Sequence, residues 1–327
     1  MIHNPVIIQS RFKPAWWIPG AHGQTIWPYY FRITPRIPLT WERQELPDGD
    51  FLDLVWSTDT NGPLVILFHG LEGSIHSHYS KSMLAKLYTM GWQGVFMHFR
   101  GCSGLHNRLA RSYHSGDTGD IRFIIRKLTK RFPGRPLAAV GYSLGGNALL
   151  KYLGEDQSET PLFAAAAVSV PFDLARAAEY LDQGLSRFYQ RHLVRKLQKR
   201  TIEKFCHRDD APFSLQQVNQ WKTFHEFDDH VTAPLHGFSG SDEYYRSSSS
   251  RQFLDKISIP TLLIQSLDDP FLPEDALPDE NDLSNQVTLE LSSGGGHVGF
   301  IYGNIPGKAA YWPEIRIPEF LQEQLIQ

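Results

Sequence analysis

Six short apolar runs recur along the chain: LVILF (64–68), GVFMH (94–98), LAAV (137–140), FAAAAVSV (163–170), TLLIQS (261–266) and VTLEL (287–291). Runs this short, apolar on successive residues rather than on alternate ones, suit inner strands of a parallel sheet covered on both faces. Segments of helical period alternate with them. YSKSMLAKLYTMG (79–91) puts Met83, Leu84, Leu87 and Met90 on one face and ends on Gly91, a helix stop. DTGDIRFIIRKLTKRFPG (117–134) has an apolar face of Ile121, Ile124, Ile125 and Leu128. Its acids lie at the start and Arg126, Lys127, Lys130 and Arg131 towards the end, matching the helix dipole. Strand–helix alternation predicts an α/β fold, a mostly parallel central sheet with helices on both faces. RQELPDGDFLDLVW (43–56) reads as a hairpin about Pro-Asp-Gly-Asp, an antiparallel edge to that sheet.

The alternation breaks between about 171 and 250, where helical signals start at DLARAAEYLDQG (173–184) and strand signals are weak. RFYQRHLVRKLQKRTIEKF (187–205) carries Tyr189, Leu193, Leu197, Thr201 and Phe205 at i+4 spacing with seven Lys or Arg around them. The pattern predicts a single domain over 1–327 with a helical cap inserted at about 171–250. The basic helix is read as a solvated outer face rather than a lipid-binding one. Trp16, Trp17, Trp27, Tyr29 and Tyr30 are read as an N-terminal arm packed over the domain.

Composition narrows the partners. At 41% hydrophobic and 20% charged the chain groups with soluble globular proteins, and a net charge of −3 gives it no general affinity for nucleic acid. Its two cysteines, Cys102 and Cys206, read as free thiols of a reducing compartment rather than a disulfide framework. MIHNPVIIQSRFKPAWW lacks the basic and long apolar regions of a signal peptide. The longest apolar run, LFAAAAVSVPF (162–172), falls short of the roughly 20 residues that span a bilayer. These features predict a cytoplasmic protein acting on a small molecule. No stable membrane insertion and no obligatory protein partner is implied, with room left for transient lipid contact.

The chemistry is carried by AAVGYSLGGNALL (138–150), a strand that stops on a serine between glycines and restarts at once as a helix. Gly141 and Gly145 flank Ser143 in the Gly-x-Ser-x-Gly arrangement, in which a strained turn lifts the hydroxyl clear of the sheet and only glycines let strand and helix pass so closely. A serine needs a base, and the base needs an acid to hold its tautomer. Asp268 and Asp269 follow one later strand and His297 the next, behind three glycines that read as a flexible loop. Strand ends are where working groups gather in an α/β sheet, and Ser, Asp, His is the chain order of α/β-hydrolases. In ILFHGLEGS (66–74) a buried strand stops on His69-Gly70, so the amides of Leu71 and Leu144 are candidate oxyanion donors. His69 is read as fixing that loop, not as moving a proton.

The chain resembles the YheT-type esterases of the α/β-hydrolase superfamily, a branch related to animal abhydrolase-domain phospholipases. HGQTIWP (22–28), ELPDGDFLDLVW, FHGLEGS, MHFRGCSG, YHSGDTGD, GYSLGGN, FDDHVTAPLHGF, DDPF and GGHVGFI match family blocks in order across nearly the whole chain. The resemblance implies a serine hydrolase of carboxylic esters. Many α/β-hydrolases place the acid four residues before a proline, as Asp269 stands to Pro273, and Pro270 restricts Asp269 further. The predicted triad is therefore Ser143, Asp269 and His297, with Asp268 turned to loop amides. Thioesterase or acyltransferase action by the same triad is the alternative, and a binding protein on this fold is a third reading. No cofactor and no metal is implied: His76 and His78 lack partners at metal-site spacing, and the resemblance puts HEFDDH (225–230) in a loop near the end of the cap. His114 and Asp117 are read as caps of the helix that begins beside them.

Overall fold

The computed structural model describes residues 6–326. The first five residues of the N-terminal segment read for a signal peptide lie outside them. After strand β1 (Ile7–Gln9) and helix α1 (Gly20–Phe31), β2 (Leu39–Glu45) and β3 (Phe51–Ser57) form the expected hairpin about Asp48-Gly49. β4 (Leu64–Phe68), β5 (Gln93–Met97), β6 (Leu137–Tyr142), β7 (Ala164–Val168), β8 (Thr261–Ser266) and β9 (Val287–Ser292) are the six apolar runs, shifted by a residue or two at their ends. The sheet order is β1-β9-β8-β7-β6-β4-β5-β3-β2, with β3 antiparallel to both its neighbours and every other pair parallel. From β4 the chain first steps to β5 on one side and then returns to β6 on the other. That reversal leaves a crevice at the carboxyl ends of β4 and β6, where open α/β sheets place their ligands.

Alternate residues of the inner strands feed two cores. Leu64, Ile66 and Phe68 pack beneath α3 (Gly119–Arg131) and α4 (Leu144–Asp156), through Ile121, Ile124, Ile125 and Leu149. Val65 and Leu67 face the other way, against Met83, Leu84 and Leu87 of α2 (Ser80–Thr89) and Ile317 and Leu321 of the last helix, Pro313–Ile326. With both faces covered, a continuous apolar run is what each inner strand needs.

Between β7 and β8 the chain is helical: α5 (Leu174–Leu181), α6 (Arg187–Phe205), α7 (Phe224–Phe227), a wide turn over Asp228–Thr232, α8 (Ala233–His236) and α9 (Ser241–Ser248). Leu181, Tyr189, Val194, Leu197, Phe224, Phe227 and Val231 give this insertion its own apolar cluster, in contact with Leu71 and Phe271 of the sheet loops. Several expectations change here. HEFDDH is helical, not a loop. The basic helix α6 is not uniformly outward: Arg200 and Lys204 turn in, and Lys204 Nζ donates to Asn107 Oδ1 and to the carbonyls of Ala110 and Arg111, each at 2.8 Å. The Arg111 carbonyl also accepts from Asn107 Nδ2 at 2.8 Å, so the lysine stem reaches in to complete a polar cluster around Asn107. Asp117 does not cap α3; its carboxylate pairs with Arg111 at 2.7 Å and Thr118 takes the cap position. The arm is split as well: Trp17 and Trp27 pack edge to face, while Trp16, Tyr29 and Tyr30 stay exposed. β1 and α1 were not foreseen as elements, β1 because three residues carry no period. Cys102 is buried and Cys206 exposed, both free.

Burial also fixes the acid limit of the fold. Desolvation holds His69 and His78 down to about 3, His98 to about 4, His114 to about 3 and His236 to about 2. Unfolded, each titrates near 6.5, so below that pH the unfolded chain binds protons the folded one refuses. The stability from these neutral rings is full above about 6.5 and is lost as pH falls towards their folded values. The loss is roughly 1.4 kcal/mol per pH unit for each such histidine, and several act together. Thermal unfolding followed by circular dichroism is therefore expected to show Tm dropping steeply from pH 7 to 5. A flat Tm over that range would mean the rings ionise in place.

Candidate active site

Ser143 stands between β6 and α4 with φ 51° and ψ −120°, a left-handed backbone on a non-glycine residue. Two glycines make the turn possible. A Cβ on Gly141 would lie 2.6 Å from the Gly145 carbonyl oxygen, and one on Gly145 would lie 2.5 Å from the His69 carbonyl oxygen and 2.7 Å from that of Phe68. The start of α4 thus rests directly on the end of β4, and the Ser143 hydroxyl stands at the crevice. The Ser143 amide donates to Val168 O of β7 at 2.8 Å, tying the turn to the sheet.

The structure brings the predicted residues together. His297 Nε2 lies 2.9 Å from Ser143 Oγ, and His297 Nδ1 lies 3.1 and 3.0 Å from the two Asp269 oxygens. Facing a carboxylate, Nδ1 carries the ring proton, which leaves the Nε2 lone pair on the serine hydroxyl. Asp269 is buried and further held by the Phe271 amide at 2.8 Å and Gln265 Nε2 at 3.1 Å. Phe271 stacks on the His297 ring, 3.8 Å between centroids and 8° between planes, so the imidazole cannot turn out of line. Asp268 points elsewhere and accepts from the Gly296 amide at 2.9 Å.

The His69–Gly73 loop, read from the sequence as a candidate oxyanion loop, follows β4. The Gly70 carbonyl accepts from His69 Nδ1 at 2.7 Å and from the Gly73 amide at 3.0 Å, while His69 Nε2 accepts from the Phe99 amide at 3.1 Å. The Gly70 carbonyl and the Leu71 amide belong to one peptide plane and point in opposite directions. Fixing the carbonyl therefore fixes the Leu71 N–H. Among the described residues neither the Leu71 nor the Leu144 amide has an intramolecular acceptor. A cavity of about 80 Å³ lies beside both, walled on the cap side by Leu197, Phe224, Phe227 and Val231.

Sequence reasoning missed the supports of the histidine. Thr25 Oγ1 accepts from the His297 amide at 2.9 Å, and Ser169 Oγ accepts from the Val298 amide at 2.9 Å. Gln24 brackets Ile301, its Oε1 taking the Ile301 amide at 2.6 Å and its Nε2 donating to the Ile301 carbonyl at 3.2 Å. His22 Nδ1 meets the Tyr189 hydroxyl of the cap at 2.9 Å. The HGQT block of α1 is thus the brace of the histidine loop. The three glycines are correspondingly not a flexible loop: a Cβ on Gly296, where φ is +60°, would sit 2.4 Å from the Ala21 carbonyl oxygen, so glycine is there for close approach.

Residues 63–304 match the family described as alpha/beta hydrolase fold. "Putative esterase YheT" of Escherichia coli (strain K12) is 40% identical over 327 residues, covering 98% of this chain and 96% of that protein. Phospholipase ABHD3 of Homo sapiens is 29% identical over 98% of this chain and 80% of its own length. A Saccharomyces cerevisiae monoacylglycerol lipase is 31% identical over 75% of this chain and 56% of its own length. Among solved structures, the Pyrococcus furiosus esterase Pf2001 overlays with a TM-score of 0.58 at 16% identity, covering 98% of both chains. The chain belongs to the α/β-hydrolase family, in its YheT-type branch. Helix α1 lies before the matched span 63–304 but within the YheT match.

The brace is testable without any substrate. Gly296→Ala meets both the left-handed backbone, roughly 1–2 kcal/mol by itself, and the α1 backbone; it is expected to lower Tm and speed hydrogen exchange in residues 20–31. Gly294→Ala, whose Cβ would press on the Pro14 side chain at 3.2 Å but meets neither backbone nor a left-handed conformation, is expected to perturb both less. Equal behaviour of the two variants would contradict the packing argument.

Proposed function

We propose that the protein is a serine esterase that cleaves carboxylic esters of small molecules through an acyl-enzyme. The observation that carries the reading is the unbroken line Asp269–His297–Ser143, ending beside two amides that have no acceptor among the described residues. Ser143 Oγ attacks the ester carbonyl as His297 Nε2 takes its proton, and Asp269 holds the Nδ1 proton and stabilises the imidazolium. The carbonyl oxygen, now an anion, is held by the N–H groups of Leu71 and Leu144, which are aimed before the reaction begins. His297 then protonates the departing alcohol. Water then adds to the acyl carbonyl as the same nitrogen takes its proton, and His297 returns that proton to Ser143 Oγ as the ester bond breaks, releasing the acid and the free serine. Each step uses groups of the chain alone, so no cofactor is assigned. Relatives named "Putative esterase YheT", phospholipase ABHD3 and monoacylglycerol lipase support the ester reading. With Cys102 and Cys206 both free, as suits a reducing compartment, we assign the reaction to the cytoplasm.

Ser143→Ala is expected to abolish hydrolysis of p-nitrophenyl esters and labelling by a fluorophosphonate, a loss of up to ~10⁶-fold in kcat, with the fold intact. Asp269→Asn is expected to cost about 10⁴-fold and Asp268→Asn far less, because only the first holds the histidine tautomer. Activity of Ser143→Ala within about tenfold of the parent would remove the nucleophile assignment. A matched panel of acyl thioesters separates the thioesterase alternative, which requires faster turnover of thioester than of oxygen ester.

The cap limits the depth of the site. Because cap side chains wall the cavity beside the Leu71 and Leu144 amides, acetyl and butyryl esters are expected to have the highest kcat/KM, falling through octanoyl and decanoyl. A rise in kcat/KM with chain length, or a requirement for micelles, would reverse this.

A further inference from the structure

One cap residue reaches the oxyanion loop itself. Arg200, on the inward face of α6, pairs with the carboxylate of Glu72 at 2.8 Å, and its other amino group donates to Cys102 Sγ at 2.8 Å. Its guanidinium lies over the Tyr113 ring, 4.9 Å from the centroid. Tyr113 closes the circuit: its hydroxyl accepts from the Glu72 amide at 2.8 Å and donates to the Glu72 carboxylate at 3.0 Å. Glu72 follows Leu71 directly and has φ 54°, a left-handed backbone that a glutamate adopts only when it is held there. Leu71, meanwhile, packs its side chain on the cap cluster. The turn that carries one oxyanion donor is therefore gripped from above by a cap helix and from below by His69.

We propose that Arg200 is a positioning residue: through Glu72 it holds the Leu71 amide in its oxyanion-binding orientation, so that the site is armed only while the cap is seated. The inference rests on the esterase reading above. It explains why a basic helix turns one of its arginines inward beside a cavity instead of presenting it fully to water. It also assigns the cap a part in catalysis besides shaping the cavity.

Arg200 also lines the cavity, so the test must separate action through Glu72 from contact with substrate. Arg200→Gln, Glu72→Gln and the double variant are assayed on p-nitrophenyl acetate and butyrate, with Arg200→Lys as the conservative control. Loss of an oxyanion donor costs about 10²–10³-fold in kcat, and a donor that is loosened rather than removed is expected to cost roughly 10–100-fold. Each single variant should show that loss in kcat for both esters with KM within about threefold, and weaker inhibition by a trifluoromethyl ketone in proportion. The double variant should be no worse than the worse single one, the mark of two residues acting as a unit. Arg200→Lys should recover part of the loss, and Tm values show whether each chain is folded; if Arg200→Gln does not fold, Glu72→Gln and Arg200→Lys carry the comparison. Full kcat in Glu72→Gln, losses that multiply in the double variant, or a change in KM alone would overturn the proposal. These failures are distinct from failure of the esterase reading, which Ser143→Ala activity in the same assay reports.

Discussion

Everything at the crevice depends on how closely α4 lies on the end of β4. Gly145 has the carbonyl oxygens of Phe68 and His69 within 2.5 to 2.7 Å of where a side chain would begin, so no other residue fits without moving backbone. That contact forces the strand-to-helix turn to be abrupt, and the abruptness puts Ser143 in its left-handed conformation. It also sets the N–H groups of Leu144, at the start of α4, and Leu71, after β4, beside one another. The strained turn costs about 1–3 kcal/mol and persists only because the sheet on either side over-determines it. Position in the topology and position in the chemistry are here one fact: β4 and β6 are neighbours because the chain reverses between them.

The histidine side of the site is held by different physics. His297 follows β9 on a loop with little secondary structure, and the loop's position is set by hydrogen bonds collected from distant parts of the chain: Thr25 from α1, Ser169 after β7, and Asp269 with Gln265 around the end of β8. Stacking on Phe271 fixes the ring plane. Positive φ at Gly296, Val298 and Phe300 shows how tightly the loop is folded to meet these partners. Two of the three sides are rigid sheet; the third, α1, is joined to the cap through His22 and Tyr189.

Local sequence made the sheet and the elbow legible because both are short-range facts. An apolar run of five or six residues bounded by turn residues is a buried strand wherever it lies, and Gly-x-Ser-x-Gly states its own geometry. The histidine and the acid could be chosen from many because each follows a strand and the order is fixed. What stayed hidden depends on partners far away in the chain. Thr25 is an unremarked threonine until His297 packs against it; Gln265 is only the polar end of the TLLIQS run. Arg200 looks like one of seven basic residues on a solvated helix, and charge alone does not say which of them finds a buried glutamate. The three glycines before His297 were ambiguous for the same reason, since glycine serves both flexibility and close approach. A polar clue was present in HGQT, where three hydrogen-bonding residues stand together in an otherwise aromatic segment.

The most direct test of the account is the covalent intermediate. The protein is mixed with excess p-nitrophenyl acetate, quenched in acid within its first turnovers, and its intact mass and peptide map are read by mass spectrometry. The account predicts one added acetyl group per chain, carried by Ser143 in the peptide spanning the GYSLGG turn, and no such adduct in Ser143→Ala. An acetyl group on another residue, or p-nitrophenol release by a folded chain whose Ser143 never becomes acylated, would contradict it.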